Sequence, residues 1–220
     1  MITIHTYADL KHFIKAFKND SFDLLILISE GGLGKTYNTR KILNSKAHCI
    51  NSHITPLELY LQAFEFKDKK LWLDDVEDMF NNDKLVGLLK QLCETQEIKD
   101  IQYGTSWDID KTRKVPKNFE TNSQVIMTVN SINRIQNKGI MALLDRGIIV
   151  NFKPSNNEIT TYVKENFERY DKEVLQFLNE SPSFSLRSYI KCCQLKGAGF
   201  KNWKELMTKK PEQIAGEVHG

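Results

Sequence analysis

Residues 24 to 43 read LLILISEGGLGKTYNTRKIL. Within them SEGGLGKT, residues 29 to 36, matches the phosphate-cradle pattern GxxxxGK[ST] at every fixed position but the first, where Ser29 stands for glycine. The preceding Leu24, Leu25, Ile26, Leu27 and Ile28 form a short apolar run of buried-strand type, and residues 35 to 43 suit a helix that begins directly after the turn. Gly31, Gly32 and Gly34 let successive backbone N–H groups curl around an anion, and the helix N-terminus adds partial positive charge at the same point. In that arrangement Glu30, Gly31, Gly32, Leu33, Gly34, Lys35, Thr36 and Tyr37 surround the phosphates of ATP. The Lys35 ammonium reaches the β and γ phosphates, and the Thr36 hydroxyl meets Mg2+. The plainer reading is a glycine-rich strand-to-helix turn with an incidental lysine.

Working outward, Leu10, Phe13, Ile14 and Phe17 repeat at i, i+3, i+4 and i+7 behind a capping-box-like start at Thr6 and Asp9. Residues 1 to 20 therefore read as an amphipathic helix, ended by Asn19 and Asp20. Downstream, AHCIN (47 to 51) suggests a second strand, and Thr55 with Pro56 suits the start of a helix running to about Phe66. Alternation of helix and strand predicts a parallel sheet covered by helices.

KKLWLDDVEDMF, residues 69 to 80, is a short apolar strand ending in two acids. In a phosphate-loop protein the first such acid holds Mg2+ through water and the second polarises the attacking water, roles that suit Asp74 and Asp75, with Glu77 in reserve. The alternative is that both acids cap the next helix. Leu85, Leu88, Leu89 and Leu92 mark an amphipathic helix. Residues 98 to 124 then read as a β-hairpin with a basic tip carrying Lys111, Arg113 and Lys114. VIMTVN, residues 125 to 130, is an apolar strand ending in Asn130, placed either to orient water opposite the γ phosphate or simply to turn the chain.

In MALLDRGIIVNF, residues 141 to 152, Arg146 lies at a helix-to-strand junction. A guanidinium there could reach a neighbouring subunit's nucleotide, or serve as a surface cation at a helix C-terminus. From residue 155 onward the sequence is helical, and Arg187 falls in the first turn of its third helix, able to fold back on a γ phosphate or to form a solvent salt bridge. The expected division is a nucleotide-binding core over residues 1–153 and a small helical lid over 154–220.

Composition sets bounds on this reading. The 220 residues suffice for one core and a satellite, and a net charge of +3 from 31 Lys and Arg against 28 Asp and Glu permits nucleic-acid contact without proposing it. Cys49, Cys93, Cys192 and Cys193 lack the spacing of a zinc site. No secretory signal or long apolar run is legible, which points to a soluble, intracellular protein with no membrane partner.

The order phosphate loop, acidic strand end, polar strand end, arginine junction resembles the AAA+ family of ring-forming ATPases from about Leu24 to Trp203. The resemblance implies an α/β fold: a three-layer P-loop NTPase with a parallel central sheet and a C-terminal helical lid. It implies that SEGGLGKT is Walker A, LWLDD is Walker B, Asn130 is sensor 1, Arg146 is an arginine finger acting in trans and Arg187 is sensor 2. Ser29 and Asp75 depart from the usual glycine and glutamate. Asn130 follows Asp75 by 130 − 75 = 55 residues, and the surplus hairpin is similar to the one before sensor 1 in viral and plasmid superfamily 3 helicases. By that likeness Lys111, Arg113 and Lys114 would contact DNA phosphates and Trp107 would stack on a base. A solvated hairpin without function is the alternative. The implied protein is a homo-oligomeric, hexameric, Mg2+-dependent ATP hydrolase acting on DNA in replication of a phage or mobile element, as a helicase-like motor. Its runner-up is a helicase-loader or transposition-type ATP switch with a partner replication protein.

Overall fold

In the computed structural model, residues 1–51, 54–104, 115–131, 139–182 and 184–208 are described. The LLILI run is buried at every position, as befits a strand paired on both sides under helical layers. In chain order the strands are β1 (Ile2–Ile4), β2 (Leu24–Ile28), β3 (Ala47–Asn51), β4 (Lys70–Asp74), β5 (Lys99–Gln102), β6 (Asn118–Thr121), β7 (Val125–Val129) and β8 (Ile148–Phe152). Six of them form one parallel sheet in the order β1-β8-β2-β7-β4-β3. The helices are α1 (Tyr7–Lys18), α2 (Lys35–Leu43), α3 (Pro56–Glu65), α4 (Asp83–Leu92) and α5 (Gly139–Leu144), then α6 (Asn156–Asn166), α7 (Lys172–Asn179), α8 (Leu186–Gly197) and α9 (Trp203–Thr208).

Local chemistry explains the helix starts. Thr6 Oγ1 accepts from the Asp9 N–H at 3.0 Å, Thr55 Oγ1 from that of Glu58 at 3.1 Å, and the Asn82 side chain from Lys84 and Leu85. Leu10, Ile14 and Phe17 are fully buried along α1, and Leu85, Leu88, Leu89 and Leu92 along α4. One expectation changes at the N-terminus. Ile2–Ile4 is not the lead-in to a helix but an edge strand, paired with β8 from Ile2↔Val150 to Ile4↔Phe152. Three residues are too few to show a period of two, so only the neighbouring strand makes this one.

The expected hairpin stem is present as the antiparallel pair β5 and β6, in register from Lys99↔Thr121 to Gln102↔Asn118. It is bolted to α3 and α4. Tyr60 stacks on Tyr103 and lies against Phe119, with ring centroids 5.3 Å apart in both pairs. The Tyr60 hydroxyl donates to the Pro116 carbonyl at 2.8 Å, and the Gln102 N–H donates to Gln91 Oε1 at 2.6 Å. At its root Lys99 is buried, donates to the Ser123 carbonyl and has its pKa pushed down by burial. Trp107, Lys111, Arg113 and Lys114 lie outside the described residues.

By contacts the chain divides into two units: Met1–Glu30 with Lys35–Lys153, and Gly31–Gly34 with Pro154–Gly220. In the second unit Asp171 caps α7, and Lys196 bridges Asp171 at 2.7 Å and Glu173 at 2.8 Å. Glu173 also pairs with Lys204 at 2.8 Å, and these two lysines hold its carboxyl below the usual range. The Trp203 ring lies under both ammonium groups and edge-on to Phe177, centroids 5.2 Å apart. Among the described residues, no helix is long and apolar enough to cross a membrane.

Candidate functional site

The loop after β2 has the geometry that its glycines anticipate. Gly32 and Gly34 both adopt φ +83°, a conformation that side-chain-bearing residues rarely take. Ser29 does not need glycine's freedom: its φ is not positive, and its N–H donates to the Val129 carbonyl at 3.2 Å, which prolongs the β2 and β7 pairing by one residue. The serine hydroxyl turns onto the Glu30 carbonyl at 3.1 Å. Lys35 is buried at the start of α2, where its ammonium donates to the Ser29 carbonyl at 2.6 Å and to Asn130 Oδ1 at 3.2 Å.

Strand order explains how Asn130 comes to meet the lysine. The phosphate-loop strand β2 and the acidic strand β4 are not neighbours; β7 lies between them. Ile28 is level with Val129, and Thr128 with Asp74. The C-terminal ends of the three strands therefore stand in one row, Ser29 level with Asn130 and Asp75 one step back, level with Val129. Asn130 spans that row, accepting from Lys35 and donating through Nδ2 to Asp75 Oδ1 at 3.0 Å. Beside it, Thr36 Oγ1 donates to Asp74 Oδ1 at 3.0 Å. Thr128, which sequence reasoning missed inside an apolar run, also donates to Asp74 Oδ1, and its hydroxyl accepts from the Asp75 N–H at 3.4 Å. Asp75 itself has φ +56°.

These arrangements bear on the alternative uses of the acids. The turn after β4 is a 3-10 segment over Glu77–Asn81, its N-cap is Val76, and no side chain caps it. The acids thus face Thr36, Thr128 and Asn130. The Glu77 side chain lies outside what is described. One carboxylate and one hydroxyl 3.0 Å apart at a phosphate loop suit Mg2+, which takes one or two protein oxygens and completes its shell with phosphate and water. Among the described residues no group of three or more His, Cys, Asp or Glu could hold a metal by itself. Tyr37 is 56% exposed, and the Lys41 ammonium lies 5.8 Å from its ring centre. The Cys49 thiol is pushed up by burial and by Asp74, against the opposing pull of Arg40, so it is a poor nucleophile.

Within the second unit, the Arg187 N–H donates to the Gly32 carbonyl at 3.3 Å, in the first turn of α8 that Ser185 and Ser188 cap reciprocally. A Cβ on Gly32 would lie 2.8 Å from Arg187 Cβ and 3.2 Å from Ser185 Oγ. Gly32→Ala is therefore expected to add overlap to a backbone penalty of about 1–2 kcal/mol, and to weaken ATP binding at least tenfold. Titration with a fluorescent ATP analogue checks this; unchanged affinity would mean that the loop opens freely.

Arg146 stands apart from this cluster. β8 runs parallel to β2, so Arg146, ahead of Ile148, lies at the opposite end of the sheet from the loop. Its guanidinium donates to the Lys90 carbonyl at 3.0 Å and pairs with Glu94 at 2.9 Å. Lys90 lies in the last turn of α4, so the guanidinium sits at the C-terminus of that helix.

No protein-family profile matches the chain. An uncharacterized 36.7 kDa protein from the nrdC-mobD intergenic region of Enterobacteria phage T4 is 24% identical over 190 residues, covering 79% of this chain. The chain spans 58% of that relative's length. Among solved structures, domain III of the replication initiation protein DnaA from Thermotoga maritima matches with a TM-score of 0.60 at 13% identity, over 94% of this chain and 93% of that one. A DNA replication initiation factor matches at 0.55 with 16% identity, over 88% and 62%. NtrX from Brucella abortus, in complex with ADP, matches at 0.54 with 16% identity, over 91% and 48%. These likenesses show the fold: α/β, with a six-stranded parallel central sheet flanked by helices.

Proposed function

We propose that this chain is a Mg2+-dependent ATP hydrolase that works as a homo-oligomeric ring, a hexamer, on DNA or a DNA-bound complex during replication of a phage or mobile element. The observation that carries the reading is the Lys35–Asn130–Asp75 bridge beside the Thr36–Asp74 pair. It gathers a phosphate-binding cation, a water-orienting amide, a candidate base and a metal-binding oxygen pair in one row. Lys35 and the loop from Glu30 to Tyr37 hold the ATP phosphates. Thr36 and Asp74 hold Mg2+, Asp75 and Asn130 position the attacking water, and Arg187 acts at the γ phosphate. Arg146 acts on the nucleotide of the adjoining subunit.

The likenesses to a replication initiation protein and to a phage protein support the replication setting and a cytoplasmic place in a bacterial or infected cell. The docked hairpin stem supports a pore role for Lys111, Arg113 and Lys114. A second reading, a helicase-loader or transposition-type switch with slow hydrolysis and a partner replication protein, draws on Asp75, whose short carboxylate is already bonded to Asn130.

One experiment tests both readings: ATP turnover and DNA binding against protein concentration. The expected result is turnover that rises with concentration and with single-stranded DNA. In the Lys111→Ala, Arg113→Ala double variant, DNA affinity drops and the slope of log K against log salt flattens by about 2. ATP binding without turnover, even on DNA, favours the switch; DNA binding untouched by the double variant removes the hairpin assignment.

A further inference from the structure

We infer that Thr128 is a positioning residue that sets both acids of the nucleotide site, an inference that rests on the reading of that site given above. Thr128 is fully buried in β7, level with Leu27 on one side and Asp74 on the other. Every other residue of this strand, VIMTV, is apolar. Valine has nearly the same shape and would extend the run without burying a polar atom, and a buried hydroxyl is costly unless it is bonded. The hydroxyl therefore earns its place through its partners.

Those partners are the two acids in turn. The hydroxyl proton goes to Asp74 Oδ1, the same oxygen that accepts from Thr36 at 3.0 Å. A lone pair of the same hydroxyl takes the Asp75 N–H at 3.4 Å, and the Thr128 carbonyl takes the next N–H, that of Val76, also at 3.4 Å. One residue thus receives two consecutive N–H groups of the turn in which Asp75 adopts φ +56°. Thr128 and Thr36 grip one carboxylate oxygen from two sides, which fixes the direction of Asp74. Thr36 donates its only proton to that oxygen and keeps its lone pairs free for Mg2+. Thr128 does not touch nucleotide or metal; it acts through Asp74 and Asp75.

The distinguishing property is dependence on Mg2+. ATP affinity is measured in EDTA and at rising Mg2+ for wild type, Thr128→Val, Thr128→Ala and Thr128→Ser. Wild type should gain affinity with Mg2+. The valine and alanine variants should bind ATP in EDTA as wild type does, yet lose about tenfold of the Mg2+-dependent gain, the size of one hydrogen bond to a charged group. Serine keeps the hydroxyl and should retain the gain within about threefold. If the valine variant does not unfold cooperatively, the alanine and serine pair carries the comparison. Equal Mg2+ dependence in all variants, or a serine variant as impaired as alanine, overturns the assignment. Wild type that binds no ATP under any condition overturns the nucleotide-site reading itself, and Lys35→Ala marks that baseline.

Discussion

Arg146→Ala is expected to abolish the concentration-dependent part of ATP turnover, a loss of roughly 10³-fold if the arginine stabilises transition-state charge from the adjoining subunit. Action within its own chain is excluded by distance. Arg146 precedes β8 at one end of the sheet, the loop follows β2 at the other, and the intervening five residues of strand span about 16 Å. The side chain is ordered by the Lys90 carbonyl and Glu94 but is 27% exposed. Two bonded donors leave further N–H groups of the planar fork for a phosphate. Mixing Arg146→Ala with Lys35→Ala subunits should restore turnover, because some interfaces then pair an intact loop with an intact arginine. Losing the Glu94 ion pair and the bond to the Lys90 carbonyl costs about 1–2 kcal/mol, so the variant should remain folded. Equal specific activity for wild type and variant at every concentration would eliminate trans action.

At Asp75 two replacements are expected to differ in stability while both lose turnover. Its φ of +56° is left-handed, a region where side-chain-bearing residues are strained by about 1–2 kcal/mol and where Asp is tolerated better than longer acids. This gives a physical reason for aspartate where the family resemblance leads one to expect glutamate. Both replacements lose the Asn130 bond; Asp75→Gly relieves the strain against a chain-entropy cost of about 0.5–1 kcal/mol, whereas Asp75→Ala keeps it. Glycine should therefore be the more stable replacement by about 1 kcal/mol, or roughly 2–4 °C in Tm, the reverse of the usual order. Both variants should lose about 10²–10⁴ in turnover if Asp75 polarises the attacking water. Thermal melts and ATPase rates on the same preparations decide it, and an alanine variant that melts above the glycine variant would refute the strain argument.

Much of this arrangement was legible in the residues. A five-residue apolar run, glycines at the two positions that need φ +83°, and a Lys-Thr pair at a helix start are local features, and local features survive reading without a fold. The Thr55 and Thr6 caps and the leucine stripe of α4 belong to the same kind, since side-chain spacing along one helix contains them. β1 is different: Ile2–Ile4 is a strand only because β8 offers an edge. Thr128 gave no signal, because a threonine inside an apolar run is also an ordinary β former.

The sequence by itself determined the candidate residues and their order along the chain: a glycine-rich loop, two acids, an asparagine, an arginine. Only the tertiary structure decided their partners. Strand order placed β7 between the loop and the acids, which made Asn130 a bridge and Thr128 a clamp, and parallel pairing sent Arg146 to the far end of the sheet. The physical reason is range. Caps, turns and periodicity act within a few residues, whereas the side-chain bond from Lys35 to Asn130 joins positions 95 residues apart, whose meeting depends on how the strands between them pair into one sheet.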